Sequence, residues 1–157
     1  MFVFAQGAEH AAAEARAVAH DNARAEPVFI SGATGVNAAR INGVLEPTEE
    51  KGVDGRVLYR KRGDGSMCME HFGGKWQVKA VSSKGTAGCY AYVQGGCALA
   101  ACTSRQWTVS FDGETFSDAP GVKMVTGAEA ERKVSGYCLR AHQHALLPPV
   151  GASNRFL

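Results

Sequence analysis

A chain of 157 residues, 45% hydrophobic and 20% charged, has the make-up of an ordinary globular protein, long enough for one domain with a core and some extensions. Its net charge of +2 is too small to single out nucleic acid or an anionic membrane as a partner. The longest apolar run, "CALAAC" at 97–102, falls far short of the roughly 20 residues that span a bilayer, and "MFVFAQG" lacks the basic region and long apolar stretch of a secretory signal.

Residues 8–25, "AEHAAAEARAVAHDNARA", predict a helix, because alanine is the best helix former. Its apolar surface is small side chains plus Val18, so it is marginal alone and is expected either as a solvated arm or as an arm that docks on a partner. Pro27 ends it. From there to about Thr126 short β-prone runs alternate with turn residues, predicting strands near 28–31, 41–45, 57–62, 66–72, 75–80, 89–94, 106–111 and 122–125. That spacing fits a mainly β domain, an antiparallel meander curled into a small barrel or sandwich. Alternation assigns core faces to Met67 and Met69, to Trp76 and Val78, to Tyr90 and Tyr92, and to Trp107, Val109 and Phe111. Both tryptophans are expected as core anchors rather than ligand platforms. Beyond Gly127 the reading is a short helix over "GAEAERKVSG", then an extended C-terminal arm through Pro148-Pro149. The organisation is thus a helical arm at 1–26, a β-rich module at 27–126, and a linker with a docking arm at 127–157.

One motif raises a specific chemistry. "VFISGATGVNA" reproduces the front of a dinucleotide fingerprint, a strand running into Gly32-x-x-Gly35. A phosphate loop needs a helix of about three turns whose amides meet the pyrophosphate, then a second parallel strand ending in an acid. Here only Val36 to Asn42 precede Gly43, Asn42-Gly43 signals a turn, and no acid-terminated strand follows. The segment is therefore expected as a connection between β elements. A nucleotide- or anion-binding enzyme built on residues 31–43 is the alternative.

The strings Ile-Asn-Gly-Val-x-Glu-Pro-Thr at 41–48, Tyr-Arg-Lys-Arg-Gly-Asp at 59–64, Trp-Gln-Val-Lys at 76–79 and Lys-Gly at 84–85 carry a resemblance. Over residues 28–125 the chain resembles a module of about 95 residues that recurs, often in tandem, in proteins of algae and other protists, dinoflagellates included. Similar modules usually have a tryptophan and a leucine at Met67-Cys68 and a tryptophan at Tyr90, differences that concern packing. The resemblance implies a β-rich binding or structural module, brings no catalytic residue with it, and points to an organellar assembly, plastid photosynthetic complexes among them.

Other groupings have plain explanations. Segment 56–84 holds Arg56, Arg60, Lys61, Arg62, Lys75, Lys79 and Lys84 with Tyr59, Phe72 and Trp76 interleaved, a composition that can track phosphates and stack bases. The favoured reading is a solvated sheet face, its field cancelled by Glu46, Glu49, Glu50 and Asp54; Arg60, Lys61, Arg62 and Lys75 are the candidate anion contacts. His142 and His144, with Cys138 nearby, would share a side in an extended chain, but no further ligand is suggested, so no metal is expected. Five cysteines, Cys68, Cys89, Cys97, Cys102 and Cys138, with no C-x-x-C pair, are expected as buried thiols; a Cys97–Cys102 bridge is the alternative for that pair. Arg62-Gly63-Asp64 reads as a turn.

The expectation is a non-catalytic accessory or scaffold subunit without cofactor. It binds other protein subunits through its β module and its arms, with Val18, Leu146, Leu147, Val150, Phe156 and Leu157 as candidate partner contacts. It has no transmembrane segment, reaching a membrane only through partners, and is placed inside the cell, in an organelle such as the plastid after loss of a targeting peptide.

Overall fold

The computed structural model describes residues 3–96 and 98–145, with side chains over 7–96 and 98–136. The chain is mainly β. In order it forms α1 (Val3–Ala23), β1 (Val28–Ser31), a one-turn α2 (Ala38–Ile41), β2 (Gly43–Lys51), β3 (Val57–Lys61), β4 (Asp64–Phe72), β5 (Lys75–Ala80), β6 (Ala91–Gln94), β7 (Trp107–Ser110), β8 (Phe116–Asp118), β9 (Lys123–Thr126) and α3 (Gly127–Ala145). The nine strands make one antiparallel sheet, ordered β8-β7-β6-β5-β4-β3-β2-β1-β9.

The connectivity forces this sheet to curl. Flat, nine strands would set its edges roughly 38 Å apart, at about 4.8 Å per strand. The edges β8 and β9 are joined by residues 119–122 alone, a span of at most about 18 Å. The sheet accordingly closes into a half-barrel, with a seam between its two edges.

Period-two alternation decides what lies inside. Val28, Ile30, Leu45, Tyr59, Met69, Trp76, Val78, Val93, Trp107, Val109 and Met124 are all buried on the concave face. Both tryptophans are core residues, as the Trp-x-Val frames implied. In β6 the inward pair is Ala91 and Val93, not the expected Tyr90 and Tyr92. Tyr92 faces outward against Phe116, and Tyr90 precedes the strand and packs at the core's margin. Strand β2 runs through Pro47, well past the predicted end at 45. Its neighbour β1 stops at Val28, opposite Leu45, so beyond that point β2 pairs with β3 alone and a residue without an N–H is tolerated.

On the convex face α3 lies over β1 and β9, where Phe29, Val44 and Ala130 form a second small core with Val125 and Val134. This helix continues to Ala145, a correction to the extended arm expected from Tyr137 onward. A proline restricts mainly its preceding residue and the turn before it, so Pro148-Pro149 does not forbid helix as far back as 137. Also on the convex face, Lys79 is fully buried under the 83–88 turn: its ammonium donates to Glu70 Oε1 at 2.8 Å and to the Thr86 carbonyl at 2.6 Å, and the Gly85 amide donates to the same Glu70 oxygen at 2.7 Å.

Candidate functional site

The half-barrel has two ends, and the sequence loads them differently. At the end where β1 finishes, the Gly-rich segment turns into the seam. Gly32 has φ 86° and Gly35 φ 84°, conformations that side chains resist. A Cβ on Gly32 would lie 2.1 Å from the Gly121 carbonyl oxygen, and one on Gly35 2.5 Å from the Phe111 oxygen. The glycines therefore let the loop approach the backbone on the far side of the seam. Asn42 clamps the loop from within, its Oδ1 accepting from the Ala33 amide at 2.9 Å and its Nδ2 donating to the Ala33 carbonyl at 2.8 Å. The Val36 amide donates to Phe111 at 3.0 Å, and buried Asn37 donates to the Ser110 carbonyl at 2.8 Å.

The amides of Ala33 and Val36, which a phosphate would need, are thus occupied by the protein's own acceptors. The helix that follows has four residues, too short for the dipole of a phosphate site. The loop ties the two edges of the sheet together.

The four candidate anion contacts are each engaged. Arg60 pairs with Glu50 at 2.8 Å, and Arg62 with Glu46 at 2.6 Å and Glu131 at 3.2 Å. Lys61 donates to the last carbonyls of α2, those of Ala39 and Arg40, and Lys75 sits 4.3 Å from the centre of the Tyr92 ring. Lys79 and Arg56 are buried, as are Tyr59 and Trp76, so the run of bases and aromatics seen in the sequence separates onto two faces of the sheet. Cancellation by Glu46, Glu50 and Asp54 is realised as specific pairs. His142 and His144 fall on helical backbone, in place of the extended chain on which their pairing rested. No group of three His, Cys, Asp or Glu suited to a metal occurs among the described residues. Cys68 and Cys102 are buried, and Cys89 half-buried. Cys97 lies outside the described residues, as do the side chain of Cys138 and the partner contacts Leu146, Leu147, Val150, Phe156 and Leu157.

The opposite end stays open. A cleft of about 240 Å³ lies there between the end of α1, the start of β3 and the 98–101 turn. Buried Arg56 organises its wall, donating to Asp21 at 3.1 Å and to the Gly96 carbonyl at 2.8 Å, and lying 3.6 Å from Asp54. Asp54 also meets His71 Nδ1 at 2.5 Å, while His71 Nε2 bonds the Gly95 carbonyl at 2.7 Å. Burial pushes the Asp54 carboxyl up, but the His71 hydrogen bond, the Arg56 amide and both neighbouring charges hold it below its ordinary value. Asn22 completes the attachment of α1, its Oδ1 accepting from the Val57 amide at 2.8 Å and its Nδ2 donating to Gly55 at 2.9 Å. Val18, a candidate partner contact, is half-buried beside the Gly55 turn.

Sequence reasoning passed over Asp21, Asn22, Glu26 and the inward role of Arg56. A signal for the first existed: an aspartate near a helix C-terminus opposes the helix dipole and so implies a cation elsewhere. Compared with protein-family models, curated proteins and solved structures, the chain matches none.

Proposed function

We propose that this protein is a non-catalytic accessory or scaffold subunit that binds other protein subunits through its arms and its β module. The observation carrying the proposal is the state of α1. Residues 7–17 are all exposed, and the contacts described for the helix come from its end, at Val18, Asp21 and Asn22. An alanine-rich helix without packing is marginal in water, so a helix held by one end and presented along the rest of its length is suited to completion by another chain. The closed end supports the same reading, because the segment that most resembled a nucleotide loop has its amides and glycines committed to holding the sheet together. The resemblance to protist modules directs the search for the partner to organellar assemblies, those of plastids first.

The test is deletion of residues 1–17, followed by thermal unfolding and by recovery of the native assembly. The expected outcome is an unfolding midpoint within a few degrees of the full chain together with loss of assembly. Full entry of the shortened chain into its complex would overturn the role given to the arm.

A further inference from the structure

We propose that Asn42-Gly43 is a latent modification site, a one-way chemical switch that keeps the closed end of the half-barrel from re-forming once it has opened. The fold itself calls for this dipeptide. Asn42 is half-buried, and its side chain faces both main-chain groups of Ala33, accepting from the amide at 2.9 Å and donating to the carbonyl at 2.8 Å. Among side chains of this length only a carboxamide carries an acceptor and a donor side by side, so aspartate could not make both bonds. Gly43 has φ 132°, and a Cβ there would lie 3.1 Å from Lys61 Cε. A larger residue is therefore resisted at 43 both by the backbone and by its neighbour.

Asparagine is a thermolabile residue, and a following glycine leaves the attacking nitrogen unshielded. The Gly43 nitrogen gives up its proton and bonds to Asn42 Cγ, the Cγ–Nδ2 bond breaks, and ammonia leaves carrying that proton. Water then opens the cyclic imide. Addition at Cγ leaves aspartate, and addition at the Asn42 main-chain carbonyl carbon leaves isoaspartate, with the chain routed through the side chain. In the closed seam this reaction is held off, because Cγ has to swing onto the Gly43 nitrogen while Ala33 holds both polar atoms of the carboxamide. Opening of the seam removes that restraint, and either product then opposes closure. Aspartate sets a carboxylate oxygen against the Ala33 carbonyl where Nδ2 donated, two acceptors with no proton between them. Ala33 is buried in the main core, so in the closed state its carbonyl has no ready exchange for that bond. Isoaspartate adds a methylene to the main chain at the head of β2, where Gly43 and Val44 pair with Ile30 and Phe29, and disturbs that register.

The experiment incubates the full chain at mildly alkaline pH, native and in urea, and follows conversion of Asn42 by peptide mass spectrometry, with Asn22 and Asn37, each followed by alanine, as internal references. In urea Asn42 should convert well ahead of both references, and in the native chain at least about tenfold more slowly than in urea, because it must wait for opening. The aged sample is then returned to native buffer and its folded fraction isolated. That fraction should be enriched in unconverted Asn42, a readout that holds even where the aspartate form does not fold. Asn42→Asp should raise the unfolding equilibrium constant about tenfold or more. Conversion in the native chain as fast as in urea, a folded fraction holding converted and unconverted chains alike, or an Asn42→Asp chain as stable as the parent would each overturn the assignment.

Discussion

The two ends of the half-barrel make opposite use of polar groups. At the closed end Asn37, Asn42 and the loop amides are spent on backbone partners across the seam, and Gly32 and Gly35 leave no room for a side chain. At the open end a cleft is left between α1, β3 and the 98–101 turn, while Arg56, Asp21 and Asn22 fasten the end of a helix whose residues 7–17 are exposed. A glycine-rich turn after a strand is thus weak evidence for a ligand site. What separates an anion site from a structural tie is where its amides point, and that depends on residues as distant as Ser110, Phe111 and Gly121.

The largest effect expected from breaking this contrast is at the closed end. Gly32→Ala would place a methyl carbon against the Gly121 carbonyl at φ 86°, and should cost upwards of about 3 kcal/mol or prevent folding, as read by thermal unfolding. Lys79→Met, which touches neither end, provides a reference of similar size. It leaves Glu70, whose Oε2 already lacks a hydrogen bond among the described residues, buried without its cation, at roughly 3–5 kcal/mol; adding Glu70→Leu should restore much of the loss. Asn42→Ala removes both Ala33 bonds and should lose about 1–3 kcal/mol by chemical denaturation. Its counterpart at the open end, Asp21→Ala, should lose less, about 1 kcal/mol, because Asp54 remains beside Arg56. If Asp21→Ala proves the costlier of the two, the open end is as structural as the closed one.

The smallest effect is on pH dependence. Asp54 has a folded-state pKa below its ordinary 3.8, so its contribution is complete above the unfolded value and is lost as pH falls through the folded one. Asp54→Asn should flatten the fall in unfolding midpoint between about pH 5 and pH 2 without abolishing it. Asp112, held at about 2 by the Thr115 hydroxyl and neighbouring amides, loses its contribution at the lower end of that range.

Much of the fold was legible because its strands alternate cleanly. The positions of β1, β3, β4, β5 and β7 and the burial of Trp76 and Trp107 follow from period-two patterns bounded by Gly-containing turns. Strand β8 was missed because Phe116–Asp118 is three exposed residues, too short to show alternation. The inward face of β6 was misassigned because Tyr90 and Tyr92 are the larger side chains, yet the curled interior admits Ala91 and Val93 there. The candidate site was less legible. Tyr59 and Val57 could be placed on one face, but that the face ends in a cleft bordered by Glu26 depends on how the sheet curls and where α1 is fastened. Neither is encoded in local spacing.

The most direct measurement of the central claim is amide hydrogen exchange on α1, in the free chain and in its native assembly. Residues 7–17 should exchange close to unprotected rates in the free protein, far faster than β3–β5, and become strongly protected on assembly. Strong protection of α1 in the isolated chain, or an α1 that stays unprotected in the assembled state, would contradict a helix presented for a partner.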